Sequence, residues 1–303
     1  GLGIVELSTA FEDLAPDMVV SVADRFETMA TAIAATYMNI PLIHIQGGEV
    51  SGNIDDRVRH SITKLSDYHF VCSEDAKERV LNLGEEPFRI FNFGCPAMDI
   101  LKNSNLRISN EIMSAYAGVG DTINWEQPYI LMVQHPVTTS FGEGKKEITE
   151  TLNALKGMEE IQKIVLWPNI DAGSDDISKG IRIFRESKDA KGFRFYKNFS
   201  PEDYARILNN AMCCVGNSSS FIRECAYLGV PSVIIGERQQ DREHGINVMS
   251  VGYNAADITR AVYKQLSNGR YKQDHIFGDG SAGLRIADKL AHIDISSHKK
   301  ITY

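Results

Sequence analysis

The chain has 303 residues, enough for two domains of ordinary size, and its 43% hydrophobic and 24% charged content is that of a soluble globular protein. A net charge of −8 argues against a broad surface for nucleic acid or anionic lipid, since both need basic patches; it leaves room for a small basic pocket. No apolar run is long enough to span a bilayer, and residues 1–10 lack the basic start and long apolar stretch of a signal peptide. The five cysteines, Cys72, Cys95, Cys213, Cys214 and Cys225, are odd in number and form no C-x-x-C spacing. Each sits among apolar or small residues, which fits reduced thiols in a cytoplasmic protein.

In chain order, short β-branched runs alternate with longer helical stretches, the pattern of a parallel sheet with crossover helices and so of an α/β fold. Residues 1–15 read as a helix, 18–23 (MVVSVA) as a buried strand, 26–38 as an Ala- and Met-rich helix and 41–45 (PLIHI) as the next strand. Residues 55–66 are helical with charges on one flank, and 69–72 (HFVC) and 90–93 (IFNF) are two more strands. A second series follows Gly118-Val119-Gly120, with strands at 129–133, 164–167, 193–196, 213–215 and 232–235. The helices between them include 148–158, 201–209 and 220–228. This gives a first domain over 1–117, a second over 118–280 and a C-terminal segment over 281–303. Composition does not change near the boundary, at 112–122, so topology alone places it.

In parallel sheets, ligands bind beyond the carboxyl ends of the strands, which makes the residues just after each strand the site candidates. Asp24-Arg25-Phe26-Glu27 follows the first strand. His44-Ile45-Gln46-Gly47-Gly48-Glu49 closes the second, where Gly47-Gly48 would let the backbone approach a ligand closely. Ile54-Asp55-Asp56 with Arg59-His60 opens the next helix, so acidic groups from three segments converge at one rim. Asp55 is preferred to Asp56 because it lies one helical turn before Arg59 and shares its face, whereas successive residues point about 100° apart. The structural alternatives are a helix N-cap for Asp55-Asp56 and an Asp24–Arg25 salt bridge.

In the second half, Gln134-His135-Pro136-Val137-Thr138-Thr139 follows a strand, and a histidine there can donate to an anion or act as a proton donor. Trp167-Pro168-Asn169-Ile170-Asp171-Ala172-Gly173-Ser174 follows the next strand. Asn217-Ser218-Ser219-Ser220 precedes a helix and offers hydroxyls and free N–H groups to an anion, the alternative being a simple N-cap. Glu224, one turn into that helix, is placed to reach a ribose diol, and Arg238 to neutralise phosphate charge. Either, alone, is equally an ordinary surface charge. No residue cluster has metal-ligand spacing, so neither metal nor cofactor is expected.

Together these stretches resemble the hydrolysing UDP-N-acetylglucosamine 2-epimerases of sialic-acid type, relatives of the non-hydrolysing bacterial epimerases and of the GT-B glycosyltransferases. The matching segments are ADRFE (23–27), HIQGGEVSGNIDDRVRHSITKLSDYHF (44–70), GCPAMD (94–99), QHPVTT (134–139), WPNIDAGSD (167–175), NSSSFIREC (217–225) and GERQQDREHGINV (236–248). Seven motifs in the family's order and spacing are specific where any single one is weak. The resemblance implies a GT-B fold: two Rossmann-like domains facing across a cleft, with a last helix at 281–292 packing back across the junction. It implies a nucleotide held by Ser218, Ser219 and Glu224, with the sugar and most carboxylates on the first domain. The family opens on a strand and a Gly-rich turn, whereas this chain opens on a helix, so the first domain is expected to lack its N-terminal segment. Two positions depart from the family pattern. Ala23 stands where Gly is common, and Gln46 stands where many members carry a catalytic Glu; glutamine hydrogen-bonds but exchanges no proton at neutral pH.

The implied reaction takes UDP-N-acetylglucosamine and water to N-acetylmannosamine and UDP. The C2 proton is a poor acid until departure of UDP builds positive character at C1, so the site must stabilise a leaving diphosphate and place a carboxylate near C2. His135, Arg238 and the turn after Asn217 suit the first task; Asp24 and Asp55 suit the second, with Glu49 in place of the acid absent at Gln46. Arg59, Asn169 and Gln46 complete the expected substrate contacts. A homo-oligomer, dimer or tetramer, is expected, with no nucleic-acid or membrane partner. The alternatives are a sister 2-epimerase acting on a modified sugar or a GDP-sugar, a GT-B glycosyltransferase that needs an acceptor, and a non-catalytic nucleotide-sugar binding protein.

Overall fold

The computed structural model describes residues 1–51, 54–137, 142–169, 172–295, 299–300 and 302. Of the motif residues above, Gly52, Asn53, Thr138, Thr139, Ile170 and Asp171 lie outside the described residues. By internal contacts the chain divides into two units: Gly1–Asp99 with Asp241–Glu243 and Phe277–Tyr303, and Ile100–Gln240 with His244–Ile276.

The first unit is built on four parallel strands in sequential order, β1 (Val19–Val22), β2 (Leu42–Ile45), β3 (Tyr68–Val71) and β4 (Ile90–Asn92). β2 and β3 are buried at every residue, as continuous apolar runs covered on both faces should be. β1 alternates instead: Val19 and Ser21 are buried while Val20 and Val22 are exposed, so the strand expected to be buried is buried on one face only. The helices α1 (Leu2–Leu14), α2 (Phe26–Tyr37) and α3 (Ile54–Leu65) follow the expected helical stretches. Ala32 and Ala35 of α2 and Ile62 of α3 pack on Val19 and Leu42. Next come α4 (Glu74–Asn82), behind β3 and β4, and α5 (Ala97–Asn103), on which the division between units falls. The last helix, α12 (Ala282–His292), belongs to this unit; its Ile286 and Leu290 pack on Ile43, Ile45, Tyr68 and Phe70, the other face of the sheet. Asp99 caps it, accepting from Ala282 N at 3.0 Å and Gly283 N at 2.7 Å, and Cys95 N donates to Phe277 O at 2.7 Å. The GCPAMD motif is therefore a structural clip for the C-terminal segment.

The second unit has seven strands in the order β11-β10-β9-β6-β7-β8-β5. These are β5 (Val119–Gly120), β6 (Tyr129–Val133), β7 (Gln162–Leu166), β8 (Phe193–Tyr196), β9 (Cys213–Gly216), β10 (Ser232–Ile235) and β11 (Val248–Val251), all parallel to their neighbours except β5. The helices are α6 (Asn110–Met113), α7 (Gly144–Lys156), α8 (Ser174–Arg185), α9 (Pro201–Asn210), α10 (Arg223–Leu228) and α11 (Ala255–Asn268). Ile130, Met132, Val165 and Val215 form the core with Ile148 and Leu152 of α7 and Ile177 and Ile181 of α8. Residues 100–117, expected in the first domain, pack here instead: Arg206 Nε donates to Asn105 O and Asn210 Nδ2 to Leu106 O, both at 2.8 Å, and Tyr116 OH donates to Asp203 at 2.5 Å. The helix expected at 220–228 splits into a 3-10 turn, Ser219–Phe221, and the short α10.

Candidate functional site

Adjacent strands β1 and β2 both end in a non-glycine residue with left-handed backbone, Ala23 at φ 63° and Gln46 at φ 66°. Such conformations are costly and persist only where the surroundings fix them, which is common at ligand sites. Here Ala23 N donates to Ile45 O at 2.9 Å and Gln46 N to Phe70 O at 3.0 Å. His44 Nε2 donates to Ala23 O at 2.9 Å, which leaves Nδ1 to accept from the Thr63 hydroxyl at 3.1 Å. Burial pushes the pKa of His44 down to about 4, so it is a neutral core histidine. Gln46 turns its amide onto Cys95, with Nε2 3.3 Å from Sγ.

Arg59, buried on α3, gathers the acidic segments. It forms ion pairs with Asp24 and, at 2.8 Å, with Asp56, and its Nη1 donates to Glu49 O at 2.7 Å. Asp56 also accepts from the backbone N and the hydroxyl of Ser51, both at 2.8 Å. The helical Asp–Arg pair expected for Asp55 is thus formed by Asp56, because Ser51 and Arg59 draw the same carboxylate from two sides. Asp55 itself is half-buried. The alternative partner for Asp24 fails too, since Arg25 pairs with Glu27 at 3.1 Å on the surface. Packing alone requires glycine at positions 47 and 48. A Cβ on Gly48, at φ 79°, would lie 2.2 Å from Ala76 O, and one on Gly47 would lie 2.9 Å from His44 Nδ1. Glu49 is buried and ion-paired with the buried Arg242, a residue the motif reading did not single out.

In the second unit the neighbouring strands β6 and β9 set the geometry. At Gly216, φ 139°, a Cβ would fall 1.9 Å from Val133 O, so only glycine lets β9 close on β6 there. Asn217 then binds His135 reciprocally: His135 N donates to Asn217 Oδ1 at 2.7 Å, and Asn217 Nδ2 donates to His135 O at 2.8 Å. Asn169 N donates to His135 Nδ1 at 3.2 Å, which fixes Nδ1 as the bare nitrogen and Nε2 as the N–H. Burial, reinforced by the Arg238 charge, pushes the His135 pKa down to about 3. Of the two roles expected, a neutral donor to an anion fits this geometry; an imidazolium acid is disfavoured.

Arg238 Nη1 and Gln239 Nε2 both donate to Asn217 O, at 3.3 and 3.0 Å. The Ser218 and Ser220 hydroxyls hydrogen-bond each other at 2.9 Å, and Ser220 meets Tyr204 OH at 2.7 Å, while Ser218 Oγ also accepts from Ser220 N at 3.4 Å. Ser219 is half-buried, with Arg223 Nη2 donating to its hydroxyl at 3.4 Å. Glu224 Oε2 is buried and accepts no hydrogen bond among the described residues, with Arg223 Nε 3.9 Å away. Buried acceptors are normally satisfied, so this oxygen suits a ligand hydroxyl. Among the described residues no group of three or more His, Cys, Asp or Glu is arranged to hold a metal, and no helix is long and apolar enough to cross a membrane. All five cysteines are buried thiols outside any disulfide, and burial raises the thiols of Cys213 and Cys214.

The profile of the UDP-N-acetylglucosamine 2-epimerase family matches residues 1–291. The UDP-N,N′-diacetylbacillosamine 2-epimerase (hydrolyzing) of Legionella pneumophila is 33% identical over 98% of this chain and 75% of its own. The GDP/UDP-N,N′-diacetylbacillosamine 2-epimerase (hydrolyzing) of Campylobacter jejuni is 34% identical over 90% and 69% of the two chains. The UDP-N-acetylglucosamine 2-epimerase of Neisseria meningitidis serogroup B is 31% identical over 92% and 71%. Among solved structures, the Neisseria meningitidis UDP-GlcNAc 2-epimerase bound to UDP-GlcNAc shares the fold, with a TM-score of 0.79 at 19% identity over 96% of this chain and 80% of that one. With two Rossmann-like sheets of GT-B type and a family match from its first residue to residue 291, the chain belongs to the UDP-N-acetylglucosamine 2-epimerase family, enzymes that act on nucleotide sugars.

Proposed function

We propose that the protein is a hydrolysing 2-epimerase that takes UDP-N-acetylglucosamine and water to N-acetylmannosamine and UDP. The observation that carries this reading is the gathering of Asp24, Asp56 and the Glu49 segment on one buried guanidinium, Arg59. In the reaction a carboxylate takes the C2 proton, the C1–O bond breaks to release UDP, and water adds across the resulting double bond: hydroxyl to C1, proton to the opposite face of C2. Asp24 and Asp55 carry the proton transfers; Arg59 holds Asp24 through Oδ2 and leaves Oδ1 to work. Glu49 supplies the third carboxylate, since Gln46 exchanges no proton and serves as a hydrogen-bonding contact. His135, as a neutral donor held by Asn169, joins Arg238, Ser218 and Ser219 on the diphosphate, and Glu224 takes the ribose diol. The protein works as a homo-oligomer in the cytoplasm. A second reading keeps the chemistry and changes the sugar: two relatives at 33% and 34% identity are named for N,N′-diacetylbacillosamine.

Incubation with each UDP-sugar in deuterated water, without acceptor, tests both. Free UDP with a 2-epimeric sugar carrying deuterium at C2 is expected. Nucleotide that stays attached to the epimerised sugar, or no turnover of either sugar, would overturn the hydrolytic assignment. Asp24→Asn and Asp55→Asn should each lose about 100-fold or more in UDP release while still binding UDP. Asp56→Asn should keep most activity and lose stability instead, because Asp56 holds Ser51 and Arg59.

A further inference from the structure

Glu49 and Arg242 are 193 residues apart in sequence and form a buried ion pair. The route by which Arg242 arrives is unusual. Chain on either side belongs to the second unit, and only Asp241–Glu243 is counted with the first. A turn closed by Gln240 N on Glu237 O at 2.9 Å precedes it, and Asp241 then takes a left-handed backbone, φ 61°, without being glycine. A non-glycine residue in that region is retained where its surroundings over-determine it. What the bend delivers is the guanidinium of an arginine whose side chain is 6% exposed onto the carboxylate of a glutamate whose side chain is 5% exposed. Burial lowers the Arg242 pKa to about 10, which still leaves it charged at neutral pH.

We propose that Arg242 is the positioning residue of Glu49: it fixes the direction and the charge of that carboxylate at the sugar, and touches no substrate itself. This rests on the assignment of Glu49 to the site made above. Glu49 has a second anchor, its own carbonyl on Arg59, so its backbone and side chain are held by different arginines.

The test uses the full chain with UDP-N-acetylglucosamine and UDP-N,N′-diacetylbacillosamine, reading UDP release, UDP affinity by calorimetry and Tm. Arg242→Met should lower kcat about 100-fold, the scale of a misplaced catalytic group, with KM and UDP affinity kept. Arg242→Lys should recover part of the loss, because an ammonium keeps the charge but not the fork. In a Glu49→Gln background, Arg242→Met should add little, since both changes remove the same function. Wild-type kcat in Arg242→Met, full additivity with Glu49→Gln, or a loss confined to UDP affinity would each overturn the inference. Should the Met variant not fold, the Lys variant decides, because wild-type kcat there means orientation by the fork is not needed. Failure of the underlying assignment is separate: an active Glu49→Gln removes Glu49 from the site whatever Arg242 does.

Discussion

Beyond the carboxyl ends of β1 and β2 lie two groups of ion pairs, Asp24, Asp56 and Arg59 in one and Glu49 and Arg242 in the other, all within the first unit. At the corresponding ends of β6 and β9 the interacting groups are mostly neutral: an amide pair between Asn217 and the His135 backbone, an uncharged imidazole, and a chain of hydroxyls from Ser218 through Ser220 to Tyr204. The contrast is what the two tasks proposed for these strand ends would require. A carboxylate can take a proton from carbon, and a buried carboxylate is costly unless a cation pairs with it, as Arg59 does with both Asp24 and Asp56. A diphosphate needs donors, and a carboxylate facing its oxygens would repel it, whereas Glu224 is proposed for the ribose hydroxyls. At these strand ends the first unit therefore carries buried ion pairs, where the second relies mostly on neutral groups.

The comparison is easiest to break at Arg59. Arg59→Met leaves Asp24 and Asp56 without their shared cation, and removing one partner of a buried pair costs about 3–5 kcal/mol. Denaturant unfolding should show that loss, with hydrogen exchange rising first in α3 and β2. Asn217→Ala, its counterpart in the second unit, removes two neutral hydrogen bonds to the His135 backbone and should cost about 2–3 kcal/mol, with weaker UDP binding. If Arg59→Met costs no more than Asn217→Ala, the charged cluster is not held as argued.

How much of this was legible in the sequence depends on the distance over which each feature acts. The strands and the loops beyond them were visible from local patterning, and those loops do carry Asp24, Gln46, His135, Asn217 and Ser218. What local patterning could not give is the partner of each charge. Asp24 sits beside Arg25 in sequence yet pairs with Arg59, and Glu49 meets Arg242 from the far end of the chain. Helical spacing favoured Asp55 over Asp56 for Arg59; Ser51, outside the helix, reversed that. A Gly-Gly pair such as that of HIQGGE carries no record of what it packs on, which here is α4 and His44. Composition does not change near residues 100–117, so only their contacts group them with the second unit. Arg242 had one local signal, its place inside the GERQQDREHGINV motif, and nothing there named its partner.

The pH dependence sharpens the comparison. His44 and His135 are buried and neutral in the fold, with pKa values near 4 and 3, against an unfolded value of about 6.5. Below pH about 6.5 the unfolded chain binds protons these histidines refuse, so stability falls with pH until the folded values are passed. Each contributes a slope of up to about 1.4 kcal/mol per pH unit in its window. In the first unit Glu85 adds to this: burial raises its pKa, but hydrogen bonds from His69 and Lys64 and the Lys299 charge outweigh that and bring it to about 2. Its contribution, present above the unfolded value of about 4.3, is lost as pH falls toward 2. His44→Gln should flatten the acid limb down to pH about 4, and His135→Asn down to pH about 3, both read as Tm against pH. An unchanged limb in either variant would mean that the imidazole takes up its proton inside the fold.

The smallest effect belongs to the pair that the sequence makes most conspicuous. Arg25 and Glu27 both lie in the first motif and meet at 3.1 Å, but their side chains are 54% and 53% exposed. Water and salt screen such a pair, and holding two long side chains together offsets what remains. Arg25→Ala should therefore leave Tm, kcat and UDP affinity at wild-type values, although it changes the residue next to Asp24. Arg59→Met, which acts on Asp24 from thirty-five residues away, should do the opposite. Measured side by side at low and at high salt, the two variants separate position in the chain from position in the fold. A large, salt-sensitive loss in Arg25→Ala would mean that the exposed cation, rather than the buried one, governs Asp24, and the division between a charged site and its surface would have to be redrawn.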